Sequence, residues 1–176
     1  MKRSFASLTP QEALHVAIFI EERNAEIYRQ FAEMFAEFRD PESLEIAAAF
    51  WDLFNEERRH GSMLQQRYYD RFGSSSCAIT EEDISELIEV PRLDDGEIFA
   101  APHVREGRSP RQRAFLVALA AEQSAVRFYR SLAESTGDKD LRSFYQELAD
   151  MESNHTGWLE HRANEASSLH EGGHAT

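Results

Sequence analysis

Apolar residues recur every three or four positions along four stretches of this sequence, the spacing of helices that each bury one face. The first stripe holds Leu14, Ala17, Asn24, Tyr28, Phe31, Phe35 and Phe38. Ahead of it, Thr9-Pro10-Gln11-Glu12 supplies an N-cap, a proline at the first helical position and a capping-box glutamate, so a helix is predicted over about 10–38. Asp40-Pro41 stops it and caps a second helix over about 41–72, with Ile46, Phe50, Leu53, Phe54, Leu64 and Tyr68 on one side, ending near Gly73-Ser74-Ser75-Ser76. Ser109-Pro110-Arg111-Gln112 repeats the cap logic for a third helix, about 110–136, with Phe115, Ala118, Leu119, Val126, Tyr129 and Leu132. A fourth, about 139–165, shows Leu141, Phe144, Leu148 and Leu159, and 166–176 reads as a flexible polar tail.

The first and last connections are a few residues long, which forces antiparallel neighbours. The middle one spans about 35 residues and holds a short capped helix near 80–89, enough chain to return along the bundle. The expected fold is an all-α four-helix bundle of two antiparallel hairpins, with a long crossover between the second and third long helices. A weak internal repeat agrees. Shifting by 101 aligns Ala17 with Ala118, Glu21 with Glu122 and Tyr28 with Tyr129; shifting by 95 aligns Leu53 with Leu148, Glu57 with Glu152, His60 with His155 and Leu64 with Leu159.

The repeat draws attention to acids on the wrong side of their helices. Glu21 and Glu122 fall on the apolar stripes of the first and third long helices. Glu57 with His60, and Glu152 with His155, are spaced i and i+3 on the inner faces of the other two. Four buried carboxylates repel one another, and each buried ion costs several kcal/mol, so a positive counterpart is required. Two divalent cations carry four positive charges, and two neutral imidazoles complete the ligation. One glutamate from each of two helices plus Glu-x-x-His from each of the other two is the known arrangement of di-iron and di-manganese ferritin-like bundles. Mixed oxygen and nitrogen donors suit iron or manganese better than calcium or magnesium.

On these motifs the chain resembles a ferritin-like protein of the rubrerythrin group over about residues 8–165: Glu21 with Tyr28, Glu57-Arg58-Arg59-His60, Glu122 with Tyr129, and Glu152-Ser153-Asn154-His155. The resemblance implies two iron ions, with manganese or a mixed pair as alternatives. Glu57 and Glu152 would bridge them, and Glu21, Glu122, His60 and His155 would be the more terminal ligands. It also implies reduction of hydrogen peroxide or oxygen by a non-haem di-iron oxidoreductase. The alternative is a ferroxidase that oxidises Fe(II) for storage or detoxification, and a third reading is a non-catalytic helical interaction module. Rubrerythrins usually carry a further carboxylate where this sequence has Ala125, which brings the set closer to the simpler ferritin type. They also carry a four-cysteine rubredoxin domain, whereas Cys77 is the single cysteine here, so a peroxidase would draw electrons from a separate donor. A homodimer through the outer faces of the first two helices is the family's expectation, using Phe19, Ile27, Met34 and Phe38.

Plainer readings stand beside these. Glu56 could pair with His60 across one helical turn, leaving the histidines as boundary residues. Tyr28 and Tyr129 are either partners of the ligand carboxylates or core filling, and Trp51 and Trp158 pack at helix edges. His15, His103, His161, His170 and His174 read as surface groups, and Cys77 has no basic neighbour to activate it. The balance of 19 Lys+Arg against 32 Asp+Glu, net −13, argues against a nucleic-acid partner. No apolar run approaches the roughly 20 residues of a membrane span and no signal region opens the chain, so a cytoplasmic protein is expected.

Overall fold

A computed structural model of the protein describes residues 5–88 and 109–171. After a short 3-10 turn at Phe5–Ser7, the elements are α1 (Pro10–Phe38), α2 (Pro41–Phe72), α3 (Glu81–Leu87), α4 (Pro110–Ser135) and α5 (Lys139–Glu171), with no strand among the described residues. Local chemistry sets the starts. The Thr9 hydroxyl accepts from the Glu12 amide while the Glu12 carboxylate accepts from the Thr9 amide. Ser109 and Gln112, and Thr80 and Asp83, close equivalent boxes. Asp40 accepts from the Ser43 amide at 2.9 Å, and Asp138 from the Asp140 and Leu141 amides at 2.9 and 3.1 Å. Each such cap satisfies donors that the first helical turn leaves open. The α1–α2 turn is tight enough that Arg39 takes a left-handed conformation with φ 58°.

α1 packs against α2, and α4 against α5, as two hairpins. Arg111 at the start of α4 pairs with Glu42 at the start of α2, and Arg71 at the end of α2 pairs with Asp138 beyond the end of α4. Hence α2 and α4 run the same way, and the chain between them has to travel the length of the bundle. The described part of this crossover holds α3, which buries Ile84 against the bundle, with Ile79 and Ile88 on either side of the helix.

Two apolar clusters fill the interior. One gathers Leu14, Ile20, Leu64, Phe128, Leu141 and Leu148; the other gathers Ile27, Phe31, Phe35, Phe50, Phe115 and Leu159. Phe50 is the hub of the second, with ring centroids of Phe31, Phe115 and Tyr28 at 5.2, 5.5 and 6.0 Å.

Three expectations change. Ile27, assigned to the outer surface, is fully buried, because α1 faces both α2 and α4 and its apolar stripe is wider than one seam. Phe38, named both on the stripe and on the outer face, is 57% exposed at the last residue of α1 and so leaves the stripe. α5 continues past 165 to Glu171. Trp51 and Trp158 lie at the helix edges, against Phe54 and Phe115. Cys77 is half-buried and His161 is exposed beside Glu165. His103 and His174 lie outside the described residues. No described helix is long and apolar enough to cross a membrane.

Candidate metal centre

Between the two apolar clusters lies a polar layer. Glu21 from α1, Glu57 and His60 from α2, Glu122 from α4, and Glu152 and His155 from α5 are all buried there. The structure therefore brings together all six residues singled out from the sequence. They form two overlapping sets: Glu21, Glu57, His60 and Glu152, and Glu57, Glu122, Glu152 and His155. Within each set one donor atom per residue lies within 4.8 Å of every other, and Glu57 and Glu152 belong to both.

The imidazoles turn Nδ1 inward. His60 Nδ1 lies 3.0 Å from Glu152 and 3.3 Å from Glu21; His155 Nδ1 lies 3.3 Å from Glu57 and from Glu152 and 3.6 Å from Glu122. The two rings are nearly parallel, with centroids 5.7 Å apart.

Tyr28 and Tyr129 reach across the bundle. The Tyr28 hydroxyl on α1 donates to Glu122 Oε1 on α4, and the Tyr129 hydroxyl on α4 donates to Glu21 Oε1 on α1. The crossed pairs show that α1 and α4 run antiparallel. Each tyrosine packs in an apolar cluster and also holds one oxygen of a carboxylate, leaving the other facing inward. Burial raises both phenols well above their ordinary pKa, and the nearby carboxylates add to it, so they remain protonated donors.

The inward atoms test whether a metal fits. Glu21 Oε2, both oxygens of Glu57 and Glu152, Glu122 Oε2 and the Nδ1 atoms of both histidines are buried without a hydrogen-bond partner. Buried polar atoms are ordinarily satisfied, so eight such atoms converging on one layer, in contact only with one another, form a donor set suited to cations once their protons leave. Protonation carries the imbalance when no cation is present. Burial, then repulsion from Glu152, Glu122 and Glu21, pushes Glu57 well above the carboxylate range. Burial and Glu152 push Glu122 up to about 8. For Glu152, burial and Glu21 act upward, but the adjoining imidazoles of His155 and His60 outweigh them and its pKa falls. Burial alone would lower the histidines; Glu152 and Glu21 reverse that and bring His60 to about 9, and Glu122, Glu152 and Glu57 raise His155 further.

One partner was not foreseen from the sequence. Glu56 pairs not with His60 on its own helix but with His155 across the bundle, Oε2 to Nε2 at 2.6 Å. No one-helix spacing rule could reveal that contact.

The rubrerythrin family model matches residues 114–172, which cover most of α4 and all of α5. The crystal structure of an uncharacterized conserved protein from Magnetospirillum magnetotacticum MS-1 is similar to this chain with a TM-score of 0.69 and 20% sequence identity, over 90% of this chain and 95% of that one. No curated protein matches the sequence. The described residues form an all-α helical bundle around a buried layer of carboxylates and imidazoles. The second hairpin, which supplies Glu122, Glu152 and His155, is rubrerythrin-like by direct match. Glu21, Glu57 and His60 come from the first hairpin and are related to those three by the internal repeat.

Proposed function

We propose that this protein is a non-haem di-iron oxidoreductase of rubrerythrin type that reduces hydrogen peroxide or oxygen. The observation that supports it is the pair of ligand sets overlapping at Glu57 and Glu152, the arrangement needed to hold two cations side by side. Two irons held there would supply the two electrons that, with two protons, reduce one hydrogen peroxide to two waters. The chain's own residues do the rest. Glu57 and Glu152 would serve both positions, and Glu21 with His60 and Glu122 with His155 would complete one each. Tyr28 and Tyr129 fix the terminal carboxylates, and the apolar clusters on either side keep bulk water from the layer. A separate protein or small reductant returns the electrons.

The second reading, ferroxidase and iron handling, is favoured by Ala125. This residue, three positions after Glu122 on α4, is buried in the first apolar cluster and adds no seventh carboxylate to the six-residue set.

Anaerobic Fe(II) loading, desalting and metal analysis test the first step. About two irons per chain are expected in the wild type, with clear loss in Glu57→Ala and Glu152→Ala. Rapid mixing then separates the readings. Consumption of one hydrogen peroxide per iron pair, faster than reaction with oxygen, supports the peroxidase. Preference for oxygen with ferric iron accumulating beyond two per chain supports iron handling. Equal iron retention in all three proteins overturns both.

A further inference from the structure

The internal repeat lets each half of the centre serve as a control for the other, and the halves differ behind the histidines. His155 Nε2 meets Glu56 at 2.6 Å, whereas no described residue hydrogen-bonds His60 Nε2. The shift of 95 that maps Glu57 on Glu152 and His60 on His155 maps Glu56 on Met151, a side chain with no carboxylate to offer.

That difference has a chemical consequence. A neutral imidazole carries its proton on one nitrogen and its lone pair on the other, and an acceptor behind the ring decides which. With Glu56 holding the Nε2 proton, the proton that leaves when a cation binds is the one on Nδ1, the atom that faces Glu57, Glu122 and Glu152. The carboxylate also makes the imidazole a stronger donor and fixes its ring plane. His60 presents Nδ1 to Glu152 and Glu21 in the same way, but no described residue behind it selects that tautomer.

We propose that Glu56 is a positioning residue that makes the two halves of the centre unequal. The half containing Glu122 and His155 takes a divalent cation first and more tightly, and the half containing Glu21 and His60 is the weaker, exchangeable position. This rests on the two-cation reading of the site. It extends that reading by assigning an order of filling and the residue that sets it. Glu56 is 44% solvent-exposed on its side chain, and it links α2 of one hairpin to α5 of the other.

The test uses the full chain, stripped of metal and titrated with Co(II), whose visible absorption and binding heat report each step without redox chemistry. Two steps are expected in the wild type, the first roughly 10- to 100-fold tighter, the usual reach of such an outer carboxylate. His155→Ala should abolish the tight step and His60→Ala the weak one. Glu56→Gln should weaken the tight step at least about tenfold with capacity kept at two, and Glu56→Asp should restore part of it. Met151→Glu should tighten the weak step, a gain that a merely structural role for Glu56 does not predict. Two equal steps in the wild type overturn the proposal, as does a Glu56→Gln profile matching the wild type in a variant that melts normally. Failure of the wild type to take up any Co(II) removes the two-cation reading itself, a separate and recognisable result.

Discussion

Replacing Glu57 by glutamine is expected to act with opposite signs on the metal-free and metal-loaded protein. Glu57 is buried, neither oxygen has a hydrogen-bond partner, and burial and three neighbouring glutamates hold its pKa well above the ordinary 4.5. In the unfolded chain at pH 7 it is ionised. If folding without metal requires it to take up a proton, the cost is set by the two and a half pH units between 4.5 and 7, at about 1.4 kcal/mol each, or about 3 kcal/mol. Glutamine is already neutral and nearly the same shape. The metal-free variant should be up to ~3 kcal/mol more stable at pH 7, a rise in melting temperature on the order of 10 °C for a chain of this length.

The sign follows from linkage. A carboxyl with a raised folded pKa binds more protons when folded, so its penalty grows as pH climbs above the unfolded value and fades near it. At pH 5 the advantage of the variant should shrink below about 1 kcal/mol. Saturating Fe(II) or Mn(II) reverses the ranking: at a thousandfold excess over its Kd the wild type gains about 4 kcal/mol, more than the variant's advantage, and the variant gains little. Thermal melts followed by circular dichroism at both pH values, with chelator and with metal, read all four numbers. A metal-free variant that melts below the wild type at pH 7, or a difference independent of pH, would refute the reasoning about protonation. An equal response to metal would refute the role of Glu57 as a shared ligand.

Phe50→Ala removes the ring at the centre of the second apolar cluster and should cost about 3–5 kcal/mol in urea or thermal unfolding; a loss below about 1 kcal/mol would mean that the cluster repacks freely. Asp40→Ala deletes the α2 cap and should cost about 1 kcal/mol, read as a lower denaturation midpoint at unchanged slope. The metal-free wild type should lose stability as pH rises from about 6 to about 9, because the proton on Glu122 is released through about 8 and that on His60 through about 9. A denaturation midpoint that climbs over that range would contradict the arrangement of charges described above.

The helix starts were legible because their signals are local: Thr9, Asp40 and Ser109 sit next to prolines, and each cap involves residues three apart. The far end of α5 was not, since the apolar stripe fades after Leu159 but no glycine or proline interrupts the chain before Gly172, so the helix persists without the pattern that announces it. Ile27 was misplaced for a related reason: periodicity gives the direction of one buried face, not its width, and α1 touches two helices. The six inward residues were legible as carboxylates and imidazoles at apolar positions, repeated at a fixed offset. The partners behind them were only half legible. Tyr28 and Tyr129 could be placed near the acids, but that each serves the opposite hairpin depends on α1 and α4 being antiparallel.

That crossing has a consequence for how the centre comes to exist. The first hairpin contributes Glu21, Glu57 and His60 to one ligand set but must take Glu152 from the second, and the second hairpin contributes Glu122, Glu152 and His155 but must take Glu57 from the first. The tyrosine that fixes Glu21 likewise lies on α4, and the one that fixes Glu122 on α1. Neither hairpin alone closes a four-residue set or pins its terminal carboxylate. On the proposed reading, cation binding would thus be linked to docking of the hairpins. Any free energy a cation gains by binding only the complete sets adds to the free energy holding the halves together, because the separated hairpins offer it no equivalent site. The repulsion among the four glutamates runs the other way and falls on the same interface. The layer that opposes assembly when metal-free would favour it when loaded, so the state of the centre would be read out in the packing of the whole bundle.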